Sequence, residues 1–182
     1  MPDETARRAT ANTEHPAELE VLGTQHVSRM CFVCGQQNDS GLHSHFLELA
    51  DGRLCCLFTA GEEHQSYPGR VHGGILSAVM DETIGRLIHL LHPDIFAVTI
   101  DLAVKFRKPV ALNTEHRVIA WVTRDTPRAL EGAGQLLLSD GSVAVQATAK
   151  YLKMPVSEIA PGGLPESEWF ADARAYPDKI WL

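Results

Sequence analysis

Positive charge is in short supply in this chain. Its 182 residues carry 16 Lys and Arg against 23 Asp and Glu, a formal net charge of −7. Binding to a phosphate backbone wants a basic surface, so nucleic acid is not an expected partner. Long apolar runs are missing too: none approaches the roughly 18 residues that a membrane span needs. Residues 1–25 are polar and lack the apolar centre of a secretory signal. The expectation is a cytoplasmic protein with no membrane partner. Cysteine is scarce, at four residues. Cys31 and Cys34 form a CxxC with His43 and His45 downstream, but the second half of a zinc ribbon is missing. The preferred reading is a tight turn into a strand, with no metal and, in a reducing compartment, no disulfide. Cys55 and Cys56 are adjacent, which suits the two faces of a strand. The GxSxG elbow, HExxH and the Gly-Lys-Ser/Thr phosphate loop are all absent, as are internal repeats.

What is present is ordinary globular material, 45% apolar and 21% charged, long enough for one domain with a real core. It is organised around residues 67–91. Tyr67-Pro68-Gly69 is turn chemistry, and a segment with helical spacing follows: Ile75, Leu76, Val79, Met80, Ile84, Leu87, Ile88 and Leu91. A helix apolar nearly all round is buried on most sides. Pro93 stops it. Glu82, Arg86 and His89 share a face, where Glu82–Arg86 is a favourable pair four apart, and they read as a solvated stripe.

Strands are expected over 42–49 and 53–60 around Asp51-Gly52, a strong hairpin signal. Further strands are expected over 98–107, 115–123, 129–139 and 142–152. In the first of these Val98, Ile100, Leu102, Val104 and Phe106 fall on one face. The fold class is α+β, an antiparallel sheet curled around one long helix. Before it lies a polar arm, residues 1–25, with a short helical piece near Ala17–Leu22. The body covers 26–154. An irregular tail, 155–182, carries Trp169, Phe170, Tyr176 and Trp181, aromatics expected to pack on the body or a dimer partner, or to act as a lid.

Two features of the helix carry chemistry. Asp81 is a carboxylate among small and greasy neighbours, costly unless it has a partner or a job. Gly73 and Gly74 open the helix, where unpaired amides and the dipole favour negative charge and glycine leaves the backbone accessible. Eight residues of helix are about 12 Å. Gly73 and Asp81 therefore cannot serve one carbonyl group from the same helix. If both are functional, they meet across a two-fold axis in a dimer.

The run Tyr67-Pro-Gly-Arg-Val-His-Gly-Gly-Ile-Leu-Ser-Ala-Val-Met-Asp-Glu82 resembles the hotdog-fold acyl-CoA thioesterases of the PaaI type. Cys31-Phe-Val-Cys-Gly35 with Gly41-Leu42, and Thr99-Ile-Asp-Leu-Ala-Val-Lys-Phe-Arg-Lys-Pro109, agree with it, so the likeness spans about 29–153. The resemblance implies a homo-oligomer, a dimer or a dimer of dimers, that hydrolyses acyl-CoA to free acid and CoA. Coenzyme A is then part of the substrate, and no further cofactor is implied. Asp81 would attack the thioester or activate water, and Gly73 would be the backbone oxyanion donor, with Gly74 beside it. His72 either caps or orients the helix start or only packs there. Six residues before His72 the family commonly carries Asn or Gln; here Ser66 stands there with Gln65 adjacent. Thr99 matches a Ser or Thr near the carboxylate, reaching it only if its face or a bend at the strand start turns inward. Arg107 and Lys108 suit the phosphates of coenzyme A, although a solvated strand end is as common. The competing class is a non-catalytic acyl-CoA or acyl-carrier binding module, which the Ser66 departure favours. Enoyl-CoA hydration would want an Asp/His dyad, which is not found at this helix start.

Overall fold

The computed structural model describes residues 18–182. In chain order its strands are β1 (Glu18–Thr24), β2 (Val27–Ser28), β3 (His45–Leu49), β4 (Leu54–Thr59), β5 (Ile95–Phe106), β6 (Glu115–Asp125), β7 (Ala129–Leu137), β8 (Val143–Pro155), β9 (Trp169–Phe170) and β10 (Lys179–Trp181). The helices are α1 (Gly73–Gly85), α2 (Leu87–Leu91) and α3 (Val156–Ile159). Eight strands form one antiparallel sheet in the order β10-β1-β3-β4-β6-β7-β8-β5, and β2 pairs with β9 apart from it.

The sheet curls around α1 and α2. Leu76, Val79, Met80, Ile84, Leu87 and Ile88 are buried against Phe46, Cys56, Val118, Leu130 and Ala147 from the concave face. Helical spacing and strand alternation meet in one core, which is why both periodicities were legible. Cys55 packs on the opposite face with Leu47, Leu49, Ile119 and Ile180. The adjacent cysteines thus do take the two faces of β4, and all four cysteines are free thiols.

Three expectations change. The stretch read as a helical piece near Ala17–Leu22 is, from Glu18 onward, strand β1 (Ala17 and the residues before it lie outside the described residues). Leu19 and Val21 turn inward while Glu18, Glu20 and Leu22 turn out, a period of two that pairing with β3 and β10 rewards. The strand expected from residue 42 begins at His45, since His43 takes a positive φ of 47°. Within β5 the expected face is broken: register shifts between Thr99 and Asp101. Ile95, Ala97, Leu102 and Val104 pack inward, so inward parity changes from odd to even across that bulge. Val98 and Ile100 are left exposed.

The tail docks on its own body. Ser28 and Trp169 pair in β2–β9, Arg29 Nε donates to Glu168 Oε1 at 2.6 Å, and Lys179–Trp181 add to the sheet edge beside β1.

Candidate active site

The bulge in β5 places Thr99 opposite Tyr151 of β8, above the second half of α1. Thr99 Oγ1 donates to Asp81 Oδ1 at 2.9 Å, with Oδ2 at 3.2 Å. The Tyr151 hydroxyl lies 2.8 Å from the Asp81 carbonyl oxygen and 3.1 Å from Oδ1, donating between them. Burial, and then the Asp81 charge, push the Tyr151 ionisation well above its ordinary range, so it stays a donor. A Cβ on Gly85 would lie 3.0 Å from Tyr151 Cε1; the glycine makes room for the ring that steadies the carboxylate. Two donors on one carboxylate fix its rotamer and leave its remaining lone pairs toward open space.

That space is a cavity of about 270 Å³. Asp81, Thr99 and Tyr151 line it together with the Glu82–Arg86 pair and Phe96, and the tail adds Ile159, Leu164 and Trp169 to the wall. Burial, and then the Arg86 charge, hold His89 down at about 4, so its imidazole is neutral near pH 7.

In the wall of this cavity the expected solvated stripe is overturned. The Arg86 side chain is only 4% exposed and the Glu82 side chain 27%. Arg86 Nε donates to Glu82 Oε1 at 2.8 Å, Nη1 to the His26 carbonyl at 2.7 Å and Nη2 to Cys34 Sγ at 3.0 Å. Its guanidinium also lies 4.1 Å from the Phe46 ring centre and 4.9 Å from that of Trp169. The pairing four apart was legible; its burial depends on β2, β3 and β9, which come from elsewhere in the chain. Cys34 is lowered to about 7, first by a hydrogen bond from the Cys31 thiol and then by Arg86. Cys31, in turn, is held protonated by that bond and by burial. The CxxC is a tight turn, closed by Gly35 N–H donating to the Cys31 carbonyl at 2.8 Å. Cys31, Cys34 and Glu82 place three possible metal donors within 4.8 Å of one another. The Arg86 guanidinium already sits on two of them and makes the site poor for a further cation.

The other end of α1 is open. Tyr67 to Arg70 is a tight turn, with Arg70 N–H on the Tyr67 carbonyl at 2.8 Å and Gly69 at a φ of 74°. Gln65 Oε1 accepts from the Gly69 amide at 2.9 Å, so its side chain holds this turn. Ser66 is exposed and its amide bonds the Arg70 carbonyl at 2.9 Å. His72 is the N-cap: its Nδ1 accepts from Gly74 N–H at 2.9 Å. That takes the Gly74 amide out of use as a donor and leaves Gly73, over which the Phe106 ring lies. Arg107 and Lys108 follow Phe106, both exposed, their amides on the Ala144 carbonyl at 2.7 and 3.1 Å.

The residues singled out in the sequence thus form two groups. Asp81 and Thr99 come together at one end of α1. Gln65, Ser66, His72, Gly73, Gly74, Arg107 and Lys108 lie toward the other. Tyr151 and Phe96 were missed as site residues, since an aromatic in a strand carries no local signal of what it will face; Trp169 is one of the tail aromatics expected to pack on the body or to act as a lid.

Residues 68–145 match the model of the thioesterase superfamily. Acyl-coenzyme A thioesterase THEM4 of Rattus norvegicus is 27% identical over 113 residues, 62% of this chain and 48% of that protein. Acyl-coenzyme A thioesterase THEM5 of Homo sapiens is 29% identical over 96 residues, 52% of this chain and 39% of that protein. The chain therefore spans about half, or less, of the length of these curated relatives. Among solved structures, a thioesterase superfamily protein superposes with a TM-score of 0.63 at 23% identity, covering 69% of this chain and 61% of the other. A hypothetical thioesterase protein with coenzyme A from Streptococcus pneumoniae gives 0.53 at 17% identity, covering 58% and 80%. At such identities the structural likeness establishes the fold alone. It is the hotdog fold.

Proposed function

We propose that this chain, whose hotdog domain matches the thioesterase superfamily over residues 68–145, hydrolyses acyl-CoA thioesters in the manner of the PaaI type. The observation that carries the reading is the Asp81 carboxylate, held by Thr99 and Tyr151 at the mouth of a cavity. A fixed carboxylate has two routes to hydrolysis. It can attack the thioester carbon, expelling the CoA thiolate and leaving an anhydride that water opens. Alternatively it takes a proton from a water that attacks the same carbon. Both routes build negative charge on the carbonyl oxygen, which a backbone amide at a helix N-terminus stabilises.

That amide is Gly73 of a second copy, because about 12 Å of helix separates it from Asp81 in one chain. Supporting this is β5, the last strand of the sheet, whose outer edge has no partner among the described residues. Val98, Ile100 and Phe106 on it are 38%, 55% and 52% exposed. A long apolar edge favours strand pairing, and pairing β5 with its two-fold copy sets two α1 helices antiparallel. Arg107 and Lys108, at the end of β5, then take the phosphates of coenzyme A.

The test is thiol release over short, long and aromatic acyl-CoAs, for the wild type and Asp81→Asn. The amide keeps the volume and loses nucleophilicity and basicity, so turnover drops by about 10²–10⁴-fold or more while folding and binding persist. Wild-type-like turnover in Asp81→Asn would remove the assignment. Tight acyl-CoA binding by a wild type that releases no thiol would favour the non-catalytic binding module instead.

A further inference from the structure

We infer that the cavity beside Asp81 is an acyl chamber, and that Trp169 of the C-terminal segment sets the length of acyl chain it accepts. The inference rests on the thioesterase reading and names its substrate class: apolar acyl groups of medium length. The chamber wall has two sources. Ile88, His89, Phe96 and Ala97 belong to the hotdog body; Ile159, Leu164 and Trp169 do not, and they lie beyond the residues matched by the superfamily. The specificity of this chain is thus built in part from a segment outside that match.

The occupant follows from what the cavity joins. At its mouth is the carboxylate that meets the thioester carbon, so whatever extends inward from that carbon is the acyl chain. Most of the remaining lining is apolar or aromatic, the imidazole of His89 is neutral, and the Glu82–Arg86 pair that also borders the cavity is already bonded to itself, to the His26 carbonyl and to Cys34. A charged or strongly hydrated tail would be desolvated there without a partner, which is costly.

The end wall is rigid. Trp169 is pinned by the β2–β9 pairing and the Arg29–Glu168 ion pair on its flank. Its ring meets His89 and Phe96 at 5.7 Å each, and His26 stacks on it at 6.1 Å. The Arg86 guanidinium lies 4.9 Å from it. A ring held on this many sides does not swing away for a longer chain. At about 30 Å³ per water-sized group, the 270 Å³ of the cavity takes roughly eight or nine carbon atoms.

The experiment measures two series on straight-chain acyl-CoAs from two to sixteen carbons. One is kcat/KM of the wild type; the other is the dissociation constant of the Asp81→Asn variant, which reads the chamber without turnover. Affinity should rise roughly fourfold per methylene, the value of burying one, and level off near eight carbons. Trp169→Ala should carry the rise two or three methylenes further. Leu164→Trp, at a half-exposed position that tolerates bulk, should end it earlier. Affinity that climbs unbroken to sixteen carbons, or a plateau that neither variant moves, would overturn the chamber. Absence of thiol release on every substrate, with the binding plateau intact and movable, would instead overturn the hydrolysis and leave the chamber standing.

Discussion

The two ends of α1 are built on opposite principles. At its N-terminus the working group is one backbone amide, that of Gly73, with the His72 imidazole as cap and the tight turn Tyr67–Arg70 leading into it. At its C-terminal half the working group is a side chain, and five segments distant in sequence converge on it: Thr99 and Tyr151 on Asp81, and His26, Cys34 and Trp169 on the neighbouring Arg86. A backbone donor is positioned by local geometry alone. A carboxylate that must stay charged beside an apolar cavity needs partners brought in by the fold. One end is therefore cheap to make and tolerant; the other is expensive and brittle.

The largest effect is expected when the two ends are separated into different chains. Asp81→Asn and Gly73→Pro should each be nearly inactive; the proline removes the amide donor. Co-refolded in equal amounts, half of the dimers are mixed, and each has one site with both defects and one with neither. Activity should return to about a quarter of the wild-type sites, read by thiol release. A mixture as dead as its parents, with mixed dimers shown to be folded, would mean that the ends do not cooperate across subunits.

Stability gives the next largest contrast. Arg86→Met strands Glu82 and the poised Cys34 in a buried site, and removing one partner of such a cluster costs about 3–5 kcal/mol. His72→Ala loses a helix cap, about 1 kcal/mol. Denaturant unfolding of both variants measures the difference. Equal losses would remove the distinction between a braced end and a tolerant one. Glu82→Gln belongs with Arg86 here, since the pair is not a surface stripe.

Kinetics should split along the same line. Thr99→Val and Tyr151→Phe each take one hydrogen bond from Asp81 and should lower kcat about tenfold with KM little changed. Changing Arg107 and Lys108 together to Ala should raise KM for acyl-CoA and spare a small thioester such as acyl-N-acetylcysteamine, because phosphate contacts contribute uniform binding. Equal losses on both thioesters would make the basic pair structural.

The last contrast is one of pH. His89 is lowered from an ordinary 6.5 to about 4, so between those values the unfolded chain binds a proton that the folded one refuses. Stability is full above 6.5 and is lost as pH falls toward 4, by roughly 1 kcal/mol per unit. His89→Gln should flatten the thermal midpoint over that window. An unchanged slope would place the titration elsewhere.

Much of this was legible from local pattern. The turn at Tyr67–Arg70, the helix start at Gly73, its apolar circumference and Asp81 as the odd carboxylate are all short-range signals, and short-range physics sets them. The hairpin at Asp51-Gly52 and the two faces of Cys55 and Cys56 follow from period and turn chemistry in the same way. The failures have one cause. Thr99 reaches Asp81 through a β-bulge, and a bulge inserts one residue into an alternation that otherwise reads cleanly from Val98 to Phe106. Glu18–Leu22 has residues acceptable to a helix, but its two neighbours in the sheet come from positions 45–49 and 179–181. Arg86 looked solvated because helical spacing reports which residues share a face, and it is silent on what covers that face.

Local pattern along the chain is enough for the helix, its two chemical ends and the distance between them, because rise per residue is a property of the backbone. Only the tertiary structure decided which side chains brace Asp81, that Arg86 is buried on a thiol and a carboxylate, and that a distant tail ends the cavity. Apart from Thr99, 18 positions from Asp81, and Glu82, four from Arg86, those contacts join residues at least 52 positions apart, where no periodicity operates and only the closed sheet sets who meets whom.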